Sequence, residues 1–481
     1  MTARTSCSWS AVGLALTACA SVPEEAGFSD AAAIVRERGG LEIRWGRGEV
    51  QNEEVDAQVG SLLQSDLDSE SAVAIALLRN RHLQALYEDL RIAQADLVEA
   101  GLLRNPIFHL EGRFPEGGGL AAFDLGLEED FLSILFLPLR KRVAAASFEA
   151  TKLRVAEHVL TLAGEVRVAF YLLQGTEQLA ELRRTVLQAT EASADLAKGL
   201  HEAGNIRDLD LDNELALHEE AKLALARAEI ERTDARERLN ALMGLWGPET
   251  EWKISARLPD LPQDEASVEG IESRAVAASL TLAQRKIEIE REAQRLGFVR
   301  QTRLAPDPAL GISAERESES GLWTTGPAFA VSLPLFNQGQ PAVARAVAVL
   351  NSLQQSYAAE ATELRSAVRR AASRVLASRS RATFLQRVLL PLRSRIVEGS
   401  QLEYNAMQQG TFQLLMAKRE EIAAGATYVE ELRDYWIASA ELGQILAGAG
   451  PALQQFSFEE ARPLTSQTLS TERPLFFLQA P

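Results

Sequence analysis

Cysteine is nearly absent from this sequence of 481 residues, since its two copies are Cys7 and Cys19. The rest of the chain therefore has no thiol for a disulfide or a cysteine metal site. Aromatic residues make up 6% of the chain and hydrophobic residues 46%, a balance that favours closely packed long helices over a large β-sandwich. The net charge of −17, without a basic stripe, argues against nucleic acid as a partner.

The motifs that catalysis or energy coupling would require are also missing. The sequence has no Walker phosphate loop, no Gly-x-Ser-x-Gly elbow and no His-Glu-x-x-His. No two histidines stand three or four residues apart, as a helical metal site would need; they are His82, His109, His158, His201 and His218. We therefore expect neither an enzyme nor a bound metal or other cofactor.

Long apolar runs are limited to a short one near the N-terminus. Arg4 precedes the apolar segment 11–16, which is typical of a signal peptide and too short to span a bilayer. The segment ends in Leu16-Thr17-Ala18-Cys19, which resembles a bacterial lipobox. This motif predicts cleavage after residue 18 and a covalent lipid on Cys19. The alternative is an ordinary signal peptide that is cut nearby, with Cys19 incidental.

Two parts of the chain, offset by about 200 residues, show the same order of patterns. Each has a helix, an alternating stretch, a long helix that ends near a glycine, and a further helix. The predicted division is a signal peptide (1–18), a lipid-anchored segment (19–64), two repeats (65–250 and 251–450) and a tail (451–481). Residues 20–60 and the tail lack a clear period, so we expect them to wrap around the outside or to be disordered.

The longest helical pattern runs from Arg142 to Leu200 without a proline and has the alternating 3-4 spacing of a coiled-coil seam. About 60 residues at 1.5 Å each form a rod of roughly 90 Å, three times the thickness of a bilayer core. The matching pattern runs from Val343 to Gln408, with a predicted kink at Pro391. Alanines such as Ala221 and Ala228 allow close approach on both flanks, so these helices can form a wall.

Alternation with a period of two predicts one β-hairpin in each repeat. The first spans about residues 106–131, and the second about 308–335, with arms at 309–316 and 326–335. Each arm has roughly the length of a tilted strand that crosses a bilayer, and Trp323 fits an aromatic girdle. Because four strands cannot close a barrel, three chains would have to pool about twelve. The alternative is a pair of soluble hairpins on a periplasmic domain.

Three stretches, 72–83, 95–106 and 404–415, resemble the TolC-like outer membrane factor family. The resemblance covers about residues 65–450. It implies a mainly α-helical fold with a small β part: long coiled-coil hairpins and four transmembrane β-strands per protomer, assembled as a homotrimeric α/β-barrel in outer-membrane lipid. It further implies a lipid-anchored duct whose helical part lies in the periplasm. Such a duct passively receives substrates from a periplasmic adaptor and an inner-membrane pump.

In that family the adaptor binds the two helix-turn-helix tips. Carried over, the contact residues are Gly204, Asn205, Ile206 and Leu209 at the first tip, and Gly410, Thr411, Phe412 and Leu414 at the second. We expect both glycines to adopt the left-handed conformation that a sharp reversal requires. The alternative is that all eight are merely turn residues.

Aspartates just beyond the second tip often narrow the entrance in the family, but here Lys418 and Arg419 occupy that place. Asp208, Asp210 and Asp212, after the first tip, are a candidate substitute ring, although a helix start that favours aspartate explains them equally well. The rival function is a structural coiled-coil lipoprotein of the cell envelope without a pore. Whether the cargo is heavy-metal cations or drugs is not fixed by these residues.

Overall fold

A computed structural model describes residues 22–46, 49–114, 121–130, 134–255, 257–263, 268–304, 309–317, 320–331 and 333–451. The signal peptide, Cys19, the first hairpin turn at 115–119 and the tail from 452 lie outside the described residues. The chain is mainly helical with one small antiparallel sheet, which confirms the predicted fold class at this level.

The helices and strands follow one another in a simple order. The first half contains α1 (Phe28–Gly39), α2 (Glu49–Leu63), α3 (Ser69–Arg79), α4 (Arg81–Ala100), β1 (Ile107–Arg113), β2 (Ala122–Asp130), α5 (Leu137–Glu202) and α6 (Asp208–Met243). The second half contains α7 (Ile271–Ala278), α8 (Leu280–Thr302), β3 (Ala309–Arg316), β4 (Trp323–Ala330), α9 (Gln340–Phe384), α10 (Leu390–Asn405) and α11 (Thr411–Leu446). None of the helices in these described stretches is long and apolar enough to cross a membrane.

The two hairpins form one continuous four-stranded sheet in the order β1-β2-β3-β4. Leu127 pairs with Phe108 on one side and with Ile312 on the other, so these side chains share a face. The same register gives that face its apolar residues, which are Phe108, Leu110, Phe123, Leu125, Leu127, Leu310, Ile312, Trp323, Pro327 and Phe329. Neither β1 nor β4 has a second strand beside it within the described chain, so both outer edges are open.

The predicted second arm of the second hairpin was displaced toward the C-terminus. The expected arm was 326–335, but β4 spans Trp323–Ala330. Ala330 pairs with Ala309, the first residue of β3, so within the described residues no paired strand continues beyond Ala330. The alternating pattern in the sequence extends beyond Ala330, but the paired strand ends there because β3 begins at Ala309.

Helix α5 has 66 residues and is about 100 Å long. The corresponding rod in the second half consists of α9 and α10, joined by a π-helical turn over Leu385–Leu389. Pro391 follows directly, and because it has no N–H it cannot continue the α-helical hydrogen-bond ladder. The irregularity expected at Pro391 is therefore a widened turn just before it.

Helices α5 and α11 pack antiparallel along a seam of close contacts. Gly164 lies against the side chain of Gln444, and Gly175 against that of Arg433. Between these two contacts Tyr171 stacks on Trp436 with ring centroids 5.3 Å apart. In all three pairs the residue numbers rise on α5 as they fall on α11, which fixes one register between the two halves of the chain.

The N-terminal segment was expected on the outside or in disorder, and its described part forms two ordered helices that pack against the core. Val35 of α1 and Val59 of α2 are fully buried in the main hydrophobic core. The buried ammonium of Lys152 on α5 donates to Asp30 of α1 at 2.8 Å, and Arg38 donates to the carbonyl of Ala278 at 2.7 Å. The segment therefore connects α5 to the second half, although its sequence shows no clear period.

The seam predicts a specific sensitivity at Gly164. A Cβ there would lie 2.6 Å from Cδ of Gln444, whose amide nitrogen donates to the carbonyl of Gly450. We expect Gly164→Val to lower the free energy of unfolding by about 1–3 kcal/mol, because overpacking must displace this side chain. Thermal unfolding of the detergent-solubilised chain, followed by circular dichroism, measures the effect.

Gly199 is the matched control, because it lies in the same helix with open space around it. Gly199→Ala should raise the free energy of unfolding by about 0.5–1 kcal/mol, since alanine has the higher helix propensity. Equal effects of the two substitutions would contradict the close α5–α11 contact.

Candidate functional site

The first tip is the turn 203–207, which joins α5 to α6. Gly204 has φ +72°, and its N–H donates to the carbonyl of His201 at 2.8 Å. The N–H of Asn205 donates to the carbonyl of Leu200 at 2.8 Å, which completes a Schellman motif. The predicted left-handed conformation of Gly204 is confirmed.

The second tip is the turn 406–410, which joins α10 to α11, and here the prediction was wrong. Gly410 is extended, with φ −79° and ψ 162°, and it caps the start of α11. The left-handed residue is Met407, at φ 55°. Its N–H donates to the carbonyl of Tyr404 and that of Gln408 to Glu403, both at 2.9 Å, so Met407 takes the structural place that Gly204 has at the first tip.

Sequence reasoning missed Met407 because methionine shows no preference for left-handed backbone, whereas a glycine three residues later does. The equal length of the two turns was the available signal, since counting from the helix ends aligns Met407 with Gly204. The side chain of Met407 is 95% exposed, so no packing contact explains its conformation.

The predicted contact residues lie at two adjacent tips. Asn205 and Leu209 are exposed at the first tip. Phe412 lines a groove of about 240 Å³ that also includes Thr190 and Leu217 of the first helical hairpin. Ile206, Thr411 and Leu414 are half-buried. The fold thus brings residues of both tips to one end of the molecule, and their contact with an adaptor stays a prediction.

The three aspartates of the candidate ring differ in their local contacts. Asp208 lies 2.7 Å from Nε2 of His201, and Asp210 accepts hydrogen bonds from the side chain of Arg207 at 3.1 and 3.2 Å. The hydrogen bond from Arg207 holds the pKa of Asp210 below its usual value. Asp212 is exposed. Local interactions at a helix start account for two of the three aspartates, and the ring stays a prediction.

The basic residues that replace the family's aspartates are partly neutralised. Lys418 pairs with Glu421 at 2.6 Å, and Glu420 pairs with Arg393 of α10. Lys418 and Arg419 both line the groove between the tips. The family's acidic entrance therefore has no counterpart at these positions.

The second face of the sheet is polar. The pairing places Glu111, Asp124, Glu315 and Thr324 in one row across all four strands. Arg113 donates to Glu111 at 2.8 Å, and the ring of His109 lies over Gly126, where it leaves no room for a Cβ. Sequence analysis found the alternation within each strand but not this row, since the register between the strands was unknown.

The sequence is similar to that of a metal resistance protein. No protein-family model matches the sequence. The chain is 23% identical over 391 residues to the cobalt-zinc-cadmium resistance protein CzcC of Cupriavidus metallidurans, and the match covers 79% of this chain and 90% of that protein.

Solved structures give the fold. A membrane protein from Pseudomonas aeruginosa superposes with a TM-score of 0.67 at 18% identity, over 79% of this chain and 92% of that one. The outer membrane channel CmeC of Campylobacter jejuni gives 0.66 at 13% identity, over 86% and 90%.

Met407 provides a test of the second tip. We expect Met407→Gly to stabilise the turn by about 1 kcal/mol. Left-handed backbone costs a non-glycine residue roughly 1–2 kcal/mol, and the substitution removes this cost. Part of the gain is lost, because glycine gives up more conformational freedom on folding. Hydrogen exchange of the amides in 400–415 should slow correspondingly. Gln408→Gly is the control, since Gln408 has no positive φ, and it should speed exchange. Faster exchange in Met407→Gly would contradict the assignment.

Proposed function

We propose that the chain is a TolC-like outer-membrane channel protein and forms the outer-membrane duct of a tripartite efflux system. The duct is passive, and a periplasmic adaptor and an inner-membrane pump supply its substrates. One observation carries the proposal: one chain combines helical rods about 100 Å long with a sheet that has one apolar and one polar face.

The dimensions of the helical rods fit the periplasm, whereas those of the sheet fit a membrane. A rod of this length exceeds the roughly 30 Å hydrocarbon core, so it suits the periplasm. The strands have seven to nine residues, close to what a tilted strand needs to cross a bilayer. The apolar residues of the sheet are largely exposed in the single chain, as residues that face lipid would be.

In this proposal three copies assemble into one barrel. Each chain supplies four strands, and the open edges of β1 and β4 must be paired, because unsatisfied backbone groups are too costly in lipid. Three chains give twelve strands, enough to enclose a pore. We take the two halves of the chain to be repeats of one unit, on the support of their shared element order and their equal turns.

The lipid on Cys19 is part of the proposal. Gly27 lies against Phe148, which is about 16 Å along α5 from the end nearest the sheet. Gly27 follows Cys19 by eight positions, and an extended chain of that length spans up to about 26–29 Å. A lipid at Cys19 could therefore enter the membrane that the sheet crosses while α1 keeps its contacts with α5.

Divalent metal cations are the substrate class that we propose. The relative with the matching sequence is a cobalt-zinc-cadmium resistance protein. If the apolar face of the sheet contacts lipid, then Glu111, Asp124 and Glu315 line the pore, and three chains contribute nine carboxylates at one level. Such a ring attracts cations and repels anions.

Planar-bilayer recordings test the duct and its charge preference together. The purified full chain should form pores that select for cations, and the triple variant Glu111→Gln/Asp124→Asn/Glu315→Gln should shift the reversal potential toward that of a non-selective pore. The rival structural lipoprotein would give no conductance, and that result would reject the duct.

A control variant removes the same charge away from the sheet. Glu37→Gln/Glu42→Gln/Glu54→Gln changes three exposed carboxylates of the N-terminal segment. It should leave the reversal potential unchanged. An equal shift in both variants would show that net charge matters and that the sheet row does not line the pore.

Lipidation has its own test. In cells fed radiolabelled palmitate, the natural chain should be labelled and Cys19→Ser should not, because serine has no thiol to form the thioether. Cys7→Ser is the control and should be labelled like the natural chain, since Cys7 lies within the predicted signal peptide. Label that persists in Cys19→Ser would overturn the assignment.

A further inference from the structure

His109 lies on the polar face of the sheet, next to the carboxylate row. It precedes Glu111 by two positions on β1, so both side chains are on the same face of the strand. His109 pairs with Gly126 of β2, whereas Glu111 pairs with Asp124. The other four histidines lie in helices, so His109 brings the one imidazole to the described strands.

Gly126 allows the ring of His109 to lie across the neighbouring strand. The ring leaves no room for a Cβ at position 126, so any other residue there would push it aside. In this position Nε2 of His109 is 4.0 Å from Oδ1 of Asp124. The two side chains therefore meet diagonally across β1 and β2, although their backbones are not directly paired.

The imidazole nitrogen and the carboxylate oxygen are far enough apart to admit a metal ion between them. At 4.0 Å they are too distant for a hydrogen bond. Two ligand atoms that bind one zinc ion at about 2.0–2.2 Å, at the tetrahedral angle, are about 3.4 Å apart. The side chains of His109 and Asp124 are 51% and 39% exposed, so rotation about their own bonds can close the difference.

Asp124 is the carboxylate of the row that is available to such an ion. Glu111 accepts a hydrogen bond from Arg113 at 2.8 Å, which occupies one of its oxygens. Within the described residues, no donor lies within hydrogen-bond distance of the side chain of Asp124. Its oxygens can therefore bind a cation without first giving up a hydrogen bond to the protein.

The residues beside His109 at its own level are small. Strand pairing continues from Gly126 to Ser313 and from Ser313 to Gly326. If the polar face lines the pore, the space in front of the ring is open, and a partly hydrated cation can reach Nε2. Because β1 follows α4, His109 lies about 7 Å nearer the helical rods than the carboxylate row. A cation that arrives from the rods meets the imidazole first.

We propose that His109 and Asp124 of each chain form an open binding site for divalent transition-metal cations inside the pore. Imidazole suits zinc and nickel, whereas magnesium and calcium prefer oxygen ligands. No three ligating side chains in the described part of the chain are placed to hold a metal ion together, so water completes the coordination. Such binding stays weak, as a pore requires, since the ion must also leave. The inference rests on the proposed duct and adds a preference for the type of metal.

Zinc block of the pore tests the site. In planar bilayers, ZnCl2 should lower the potassium current of the natural chain, and the same concentration of MgCl2 should lower it far less. The current of each variant without zinc is the reference for its own block. His109→Gln should lose the zinc block, because glutamine has a similar size but no ring nitrogen. His82→Gln, on the exposed surface of α4, is the matched control and should be blocked like the natural chain.

Gly126→Ala tests the position of the ring without removing a ligand. Its Cβ should displace the ring from Asp124 and so weaken the zinc block. Gly326→Ala is the matched control and should keep the block, because open space surrounds Gly326.

Several outcomes of these recordings would contradict the site. A zinc block that persists in His109→Gln, an undiminished block in Gly126→Ala, or a cation-selective pore that zinc does not block would overturn it and leave the duct standing. A natural chain without any conductance would reject the duct, and the site with it.

Chemical modification decides the question if the variants do not insert. For the natural chain in detergent, zinc should slow the reaction of His109 with diethyl pyrocarbonate, because the metal occupies the nitrogen that the reagent attacks. The exposed His82 is the internal reference and should react at the same rate with and without zinc. Peptide mass spectrometry measures both rates. An unchanged rate at His109, in a chain that retains its helical circular dichroism, would overturn the proposal.

Discussion

The close antiparallel contact between α5 and α11 is the constraint on which the rest of the structure depends. Gly164 and Gly175 remove the side chains that would keep the helices apart, so Gln444 and Arg433 can lie against the α5 backbone. Because one register is kept along the seam, the two helical hairpins end at the same level. The groove lined by Phe412 and Leu217 exists for that reason.

The same arrangement explains why so much apolar surface stays exposed on one chain. Four helices in a row bury their inner contacts and leave two flanks, and a four-stranded sheet leaves two edges. Neither problem can be solved within the chain, since its halves already contact each other. In the proposed duct, other copies of the chain cover the flanks and pair with the open strand edges.

At the two tips, different residue types adopt the same left-handed backbone conformation. The first turn places glycine where left-handed backbone is required, and the second places Met407 there and uses Gly410 as an extended cap. Both turns nevertheless form the same pair of hydrogen bonds, because turn length and the need to satisfy terminal carbonyls define the geometry. An exposed, strained methionine at the end of a rod is consistent with a surface under functional constraint.

The sequence by itself determined the helical rods, the two hairpins and the tips, because helical period, alternation and turn residues are local properties. It did not determine where β4 ends, that α1 and α2 pack on the core, or which residue is left-handed at the second tip, because each depends on contacts that the local pattern does not show. The carboxylate row likewise emerged only once the strand register was known. Local sequence patterns determine the helices and strands. Tertiary contacts determine which of their faces stay exposed in the single chain.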